Sequence, residues 1–150
     1  PNLEAQLLNL VKFLKENNLD VYGFGEILKL NSDLQKDENP KLLKEEFLSE
    51  KIVLLLANSL EEAIEIINEN SGGHSASIIT NNKIKAVKFQ TEVDCGAVYH
   101  NASTRFTDGG EFGLSGEIAI STQKLHFRGP LGIHQLTTNK WFISGNGEVR

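Results

Sequence analysis

Methionine is absent from this 150-residue sequence, and cysteine, tryptophan and proline are scarce, with one, one and three residues. The sequence begins with Pro1 and carries no start-codon residue, which indicates a piece of a longer protein. Cys95 is the only cysteine and cannot form an internal disulfide, so we expect a reducing compartment, by default the cytoplasm.

Long apolar runs and an excess of positive charge are also missing. No apolar stretch approaches the roughly 20 residues that span a bilayer, and the N-terminus has no signal-peptide pattern, so we expect no membrane partner and no secretion. The net charge of −5 argues against a nucleic-acid partner. Residues 1–70 hold seven basic and fourteen acidic residues, whereas residues 71–150 hold eight and six, with all three Arg. Since Arg binds anions bidentately, an anionic ligand is expected in the second part.

No metal site is predicted. The four histidines lie at positions 74, 100, 126 and 134, and these separations match no ligand spacing of helices or hairpins. Cys95 starts an apolar run, which favours burial over a reactive thiol.

Apolar periodicity predicts an amphipathic helix over residues 2–17 and a strand over 19–22. The weakly patterned residues 29–40 indicate a surface loop. Residues 51–57 form a continuous apolar run, which is typical of a strand covered on both faces.

Residues 59–99 are predicted to form further helices and strands. Ser59 and Glu62 have capping-box spacing, which predicts a helix to about Asn70 with Ala63, Ile64 and Ile67 inward. A strand over 75–80, a helix from Asn81 or Asn82 to about Glu92 and a strand over 95–99 come next, the helix with Ile84, Val87 and Ala86 toward the core. Strands alternating with helices predict the α/β class, with a parallel sheet and crossover helices.

The pattern changes after Tyr99. Residues 100–116 are rich in Gly, Asn and hydroxyl groups and follow the carboxyl end of a predicted parallel strand, where α/β sheets bind ligands. We expect this bend to border a recess. Further strands are predicted over 117–122 and 136–144. Arg128-Gly129-Pro130 and the hydroxyls of Ser103, Thr104 and Thr107 suit anion binding, although helix or turn capping explains the hydroxyls equally well.

Two stretches carry a family resemblance. Residues 101–141, NASTRFTDGGEFGLSGEIAISTQKLHFRGPLGIHQLTTNKW, closely resemble the C-terminal signature of the gamma-glutamyl phosphate reductases, members of the aldehyde dehydrogenase superfamily. Residues 45–80, EEFLSEKIVLLLANSLEEAIEIINENSGGHSASIIT, are similar to the superfamily segment in which a Glu-led turn precedes a strand, a helix and a second strand.

The resemblance implies an organisation for the chain. Residues 1–117 would be the C-terminal part of an aldehyde dehydrogenase-like catalytic domain, and residues 118–132 a return segment of the cofactor-binding domain. Residues 133–150 would form an oligomerisation arm whose C-terminal strand makes a homo-oligomer.

The implied reaction is the NADPH-dependent reduction of L-glutamyl 5-phosphate to L-glutamate 5-semialdehyde and phosphate, in proline biosynthesis. The nucleophilic Cys is expected upstream of Pro1, so no catalytic residue is assigned here and the isolated chain is predicted to be inactive. Glu46 resembles the superfamily Glu that binds the nicotinamide ribose. The residues implied in substrate binding are Asn101, Ser103, Thr104, Arg105, Ser121 and Thr122.

Two alternatives stay open from the sequence. The chain could be a free-standing, non-catalytic module for binding or assembly, derived from an aldehyde dehydrogenase and pairing by strand addition. It could also belong to an aldehyde dehydrogenase with a different substrate.

Overall fold

The computed structural model of the chain describes residues 3–37, 39–107, 110–113, 118, 127–129, 131–147 and 149. The elements in these ranges are, in chain order, α1 (Leu3–Glu16), β1 (Asp20–Phe24), a 3-10 helix (Gly25–Lys29), β2 (Gln35–Lys36), a second 3-10 helix (Pro40–Lys44), β3 (Lys51–Leu55), α2 (Leu60–Asn70), β4 (Ser75–Ile78), α3 (Lys83–Glu92) and β5 (Ala97–His100). Within the described ranges, no helix combines the length and apolar character needed to cross a bilayer.

The strands form two parallel sheets. In the first sheet β1 lies between β2 and β3, and in the second β4 pairs with β5 so that Ile78 lies opposite His100. The predicted α/β class with parallel strands and crossover helices is confirmed, since α3 connects β4 to β5. The partner of β3 is β1 rather than the next strand in the sequence, β4.

The first sheet is covered by α1. Leu7, Val11 and Leu14 of the helix share a buried cluster with Val21 of β1, which confirms the predicted amphipathic helix. The predicted surface loop over residues 29–40 contains β2, because the buried Leu34 joins the same cluster and brings the following residues beside β1. All five residues of β3 are only half-buried, so the prediction that both of its faces are covered is wrong for this chain.

The capping signal of α2 is confirmed in one of its two bonds. The backbone N–H of Glu62 donates to Ser59 Oγ over 3.1 Å. The carboxylate of Glu62 instead accepts from the backbone N–H of Asn58, over 2.6 Å. The capping bond stabilises the helix at the predicted residue, and the reciprocal bond is shifted by one position.

The inward face of α3 was predicted wrongly. Asn82 caps the helix, accepting from the backbone N–H of Lys85 over 3.1 Å, and Ala86 is buried as predicted. Ile84 and Val87, however, are 82% and 62% exposed. The aromatic Phe89, three residues after Ala86, is buried and defines the inward face.

The predicted strand over residues 136–144 is not formed in this chain. Trp141, Phe142 and Ile143 are 81%, 86% and 89% exposed and belong to no regular element. A strand requires a neighbour for its backbone hydrogen bonds. Of the strand predicted over 117–122, the structure describes Ile118, which forms an antiparallel bridge with Leu131.

Candidate functional site

The polar bend after β5 is tied to the end of β4. Asn101 donates its backbone N–H to the Ile78 carbonyl oxygen over 2.8 Å. Its side-chain Oδ1 accepts from the backbone N–H of Thr80 over 2.9 Å, and its Nδ2 donates to the Thr80 carbonyl oxygen over 3.0 Å. We call this pair of side-chain bonds the Asn101 clasp. The prediction that the bend lies at the carboxyl end of a parallel strand is confirmed.

The backbone of the clasp requires a residue such as asparagine. Asn101 has a φ of +53°, a left-handed conformation that Asn tolerates better than most residues. His100 Nε2 hydrogen-bonds the Thr80 carbonyl oxygen over 2.8 Å, and Ser77 Oγ donates to the Ala102 carbonyl oxygen over 2.7 Å. The first residues of the bend are therefore held by both strands.

Beyond the clasp the bend turns toward solvent. Arg105 donates its backbone N–H to Ser103 Oγ over 3.2 Å, and Phe106 donates to the Ser103 carbonyl oxygen over 3.0 Å. The side chains of Ser103, Thr104 and Arg105 are exposed. A hydrogen bond between the hydroxyls of Tyr99 and Thr107 closes the bend back onto β5. The turn thus presents Ser, Thr and Arg side chains on one short segment.

The charge at this end of β4 and β5 is positive. Residues 79–85 and 100–107 contain Lys83, Lys85 and Arg105 and no Asp or Glu. The N-terminus of α3 lies at the same strand ends and adds the partial positive charge of a helix dipole. This end of the second sheet therefore favours an anionic ligand.

The recess expected beside the bend stays a prediction, because residues 108–109 and 114–116 of the bend lie outside the described residues. Four recesses that the described residues do form are lined from within residues 3–70. One of these, of about 470 Å³, lies at the carboxyl ends of β1 and β3 and is lined in part by Glu26, Glu62, Glu69 and Lys44. Its charged side chains include three acidic groups and one basic group, which does not favour an anion. Sequence reasoning missed this recess, although the ends of β1 and β3 were a signal.

The remaining predicted site residues are separate from the bend. Glu46 is exposed and lies between the second 3-10 helix and the start of β3, in the part of the chain that forms the first sheet. Ser121 and Thr122 lie outside the described residues. Of the six predicted substrate-binding residues, the structure brings together Asn101, Ser103, Thr104 and Arg105.

Arg128 makes its contacts within the chain, so its predicted role in binding an anionic ligand stays a prediction. Its Nη1 donates to Asp94 Oδ1 over 3.0 Å, and its Nη2 donates to the carbonyl oxygens of Gly73 and Asp94 over 2.9 and 3.3 Å. Gly73 and Asp94 precede β4 and β5, so Arg128 lies at the amino ends of these strands, opposite the bend.

Cys95 is half-buried beside the apolar cluster of α2, α3, β4 and β5, with its Sγ 3.8 Å from Ser71 Oγ. Packing against this cluster agrees with the predicted role as a small apolar residue. Among the described residues, no group of three or more His, Cys, Asp or Glu side chains is arranged to hold a metal ion, and His126 lies outside that part of the chain.

Comparisons with known proteins agree with the resemblance seen in residues 45–80 and 101–141. The gamma-glutamyl phosphate reductase of Clostridium botulinum strain Eklund 17B is 46% identical over 147 residues, which are 98% of this chain and 35% of that protein. The enzyme of the same name from Dictyoglomus thermophilum is 48% identical over 144 residues, 94% of this chain and 34% of that protein. The chain therefore spans about a third of the length of the curated relatives it matches.

A solved structure and a family profile agree with these relatives. The crystal structure of gamma-glutamyl phosphate reductase from Thermotoga maritima superposes with a TM-score of 0.85 at 41% identity, over 98% of this chain and 35% of that one. The profile described as "Aldehyde dehydrogenase family" matches residues 34–141, which is more than half of the chain. The chain belongs to the aldehyde dehydrogenase family.

Proposed function

We propose that this chain is the C-terminal part of a reductase that converts L-glutamyl 5-phosphate to L-glutamate 5-semialdehyde and phosphate, in proline biosynthesis. The observation that carries the proposal is the identity of about 46% across 98% of the chain with proteins named gamma-glutamyl phosphate reductase. These relatives are enzymes by name, so the alternative of a free-standing binding module is not favoured.

The positive bend supports a role in binding the acyl phosphate. Arg105 has an exposed guanidinium, and guanidinium groups bind carboxylates and phosphates through paired hydrogen bonds. Ser103 and Thr104 add exposed hydroxyl donors on the same turn. We assign Asn101 a positioning role, because its side chain already bonds both backbone groups of Thr80. Ser121 and Thr122 keep the proposed role of binding the amino-acid end of the substrate.

This chain forms only one side of the proposed site. The bend has charge that suits the substrate, and the four recesses described above lie elsewhere, within residues 3–70. We propose that the facing side, including the nucleophilic Cys, comes from polypeptide outside this sequence. That Cys would displace phosphate from the acyl group, and oriented donors such as Arg105 would stabilise the charge that develops.

Glu46 fits a role in binding the proposed cofactor, NADPH. Its carboxylate is exposed, and a carboxylate accepts hydrogen bonds of the kind that ribose hydroxyls donate. The cofactor supplies the hydride for the reduction, and the protein supplies its position. The neighbouring ring of Phe47 lies 5.1 Å from Lys51 Nζ, a contact that helps hold the segment before β3.

The C-terminal segment supports the proposed homo-oligomer. Trp141, Phe142 and Ile143 are consecutive, large and almost fully exposed. Contiguous exposed apolar residues are typical of interaction surfaces, and a strand added to the sheet of a second copy would satisfy the backbone. We propose residues 133–150 as this arm, residues 118–132 as the return segment and residues 1–117 as part of the catalytic domain, in a cytoplasmic enzyme.

The function is tested with the full-length protein that contains this chain. L-glutamate 5-semialdehyde, phosphate and NADP⁺ are supplied, and NADPH formation is followed by absorbance, with NAD⁺ compared in parallel. We expect phosphate-dependent turnover with the full-length protein, a preference for NADP⁺, and no turnover with residues 1–150 alone. Oxidation of simple aldehydes without any dependence on phosphate would contradict the proposal and favour a different aldehyde dehydrogenase.

A further inference from the structure

We propose that Arg128 is a positioning residue for the first part of the bend, residues 101–107. Its hydrogen bonds would hold the chain that returns after the bend against the amino ends of β4 and β5. The chain would then be held at two places, the Asn101 clasp and Arg128. This inference rests on the proposed function, because the bend is there a substrate-binding element.

The contacts of Arg128 join three parts of the chain. Its guanidinium donates to the side chain and carbonyl oxygen of Asp94, before β5, and to the carbonyl oxygen of Gly73, before β4. The Arg128 and Asp94 side chains are 20% and 44% exposed, against 36% and 57% for Lys88 and Glu61 in their ion pair. Partly buried, charge-assisted bonds to several acceptors hold geometry better than an exposed ion pair does.

The backbone next to Arg128 fits closely against the same loops. Gly96 donates its N–H to the Gly73 carbonyl oxygen over 2.8 Å. A Cβ on Gly96 would lie 3.3 Å from the His74 carbonyl oxygen and 3.5 Å from that of Gly129. Gly129 is buried. The returning chain therefore lies directly against the loops that precede β4 and β5.

A second contact links Arg128 to the other end of the segment. Leu131, three residues after Arg128, is buried and forms an antiparallel bridge with Ile118, with N–O distances of 3.1 and 3.2 Å. Position 118 is thus held by the segment that Arg128 fastens. The chain therefore has one held position at the Asn101 clasp and another at Ile118, and fixing both ends of a segment lowers its conformational entropy.

The test uses steady-state kinetics of the full-length enzyme carrying Arg128→Gln, Arg128→Lys or Asp94→Asn. Substrate binding depends on the placement of the bend, so we expect Arg128→Gln to raise the KM for the phosphorylated substrate, or for phosphate in the reverse direction, by about five- to tenfold, with kcat changed less than about twofold. Arg128→Lys keeps the charge without the planar fork and should give an intermediate KM. Asp94→Asn keeps an acceptor oxygen at the same position and should retain most of the affinity.

Lys88→Gln is the matched control, because it breaks an ion pair between α2 and α3 that does not touch the bend or the return segment. It should leave both KM and kcat unchanged. An unchanged KM in Arg128→Gln, or an equal loss in Lys88→Gln, would overturn the proposal.

A readout that needs no substrate separates this inference from the proposed function. Backbone hydrogen exchange at residues 103–107 should be faster in Arg128→Gln than in the parent enzyme and unchanged in Lys88→Gln. If Arg128→Gln does not fold, Arg128→Lys carries the same comparison, with a smaller increase in exchange. Absence of reductase activity in the parent enzyme would overturn the proposed function, whereas equal exchange rates in all variants would overturn the role of Arg128.

Discussion

The carboxyl ends of the strands in the two parallel sheets differ in the charge of the side chains around them. At the carboxyl ends of β1 and β3 a recess of about 470 Å³ is lined in part by Glu26, Glu62 and Glu69. At the carboxyl ends of β4 and β5, residues 79–85 and 100–107 carry Lys83, Lys85 and Arg105 without an acidic residue, and Arg105 is exposed; Asp108 and Glu111 follow later in the bend. The end where a recess is described has the wrong charge for a phosphate, whereas the right charge lies at the other end.

This difference shows that concavity alone does not locate the site in a chain that spans about a third of its relatives' length. A binding site needs both charge and enclosure, and enclosure can come from other polypeptide. The charge of the second end, in contrast, belongs to this chain. We therefore expect that end, and not the acidic one, to bind the substrate.

The largest effect is expected from Asn101→Ala in the full-length protein. The change removes both bonds of the Asn101 clasp and places an alanine at a φ of +53°. The loss of two hydrogen bonds and the left-handed strain should lower the free energy of unfolding by about 2 kcal/mol and raise the substrate KM. Denaturant unfolding and steady-state kinetics measure the two effects.

Asn101→Gly is the matched control, since it relieves the backbone strain but still removes the clasp. It should cost about half as much stability, about 1 kcal/mol, and raise KM to a similar extent. If both variants bind substrate as the parent enzyme does, the clasp does not position the bend.

Arg105→Ala should have the next largest effect. Removing one exposed guanidinium should raise the KM for L-glutamyl 5-phosphate about tenfold, the scale of a lost charge-assisted contact, with little change in stability. Lys29→Ala is the control at the acidic end, where Lys29 pairs with Glu26 over 2.6 Å. It should leave KM unchanged, and an equal rise in both variants would remove the distinction between the two strand ends.

The smallest effect concerns the ion pair between α2 and α3. A hydrogen bond from Lys88 over 2.5 Å lowers the pKa of Glu61 below its ordinary value of 4.5, and the same bond raises the pKa of Lys88 above 10.5. The lowered Glu61 pKa stabilises the fold above about pH 4.5, and this contribution is lost as the pH falls through the folded-state value. The raised Lys88 pKa contributes below about pH 10.5 and is lost at higher pH.

Melting temperatures of the parent enzyme and Glu61→Gln, measured from pH 3 to pH 9, test this contribution. The variant should melt lower by less than about 2 °C near pH 7, as for an exposed pair, and the two curves should converge at acid pH. A difference that grows as the pH falls would contradict the assignment.

Local signals in the sequence predicted the elements well where a short-range bond decides the structure. Ser59 and Asn82 each cap a helix that begins at the next residue. The spacing of Leu7, Val11 and Leu14 placed α1 against the first sheet. These features depend on residues three or four positions apart, which a single sequence displays directly.

Features that depend on distant partners were not predictable in the same way. The pairing of β3 with β1 is set by contacts across about thirty residues, and the inward face of α3 follows from the place that Phe89 fills in the core. The contacts of Arg128 within the chain were not visible in the sequence, because its partners, Asp94 and Gly73, are 34 and 55 positions away. The position of the bend followed from a general rule for parallel strands.

Hydrogen exchange of the full-length enzyme in saturating inorganic phosphate shows which of the two strand ends binds the anion. Phosphate is a product of the proposed reaction and should bind at the positive end of β4 and β5. We expect slower exchange of the amides at residues 103–105 and no change at residues 24–28, beside the acidic recess. Unchanged exchange at residues 103–105, or slowing only at residues 24–28, would contradict it.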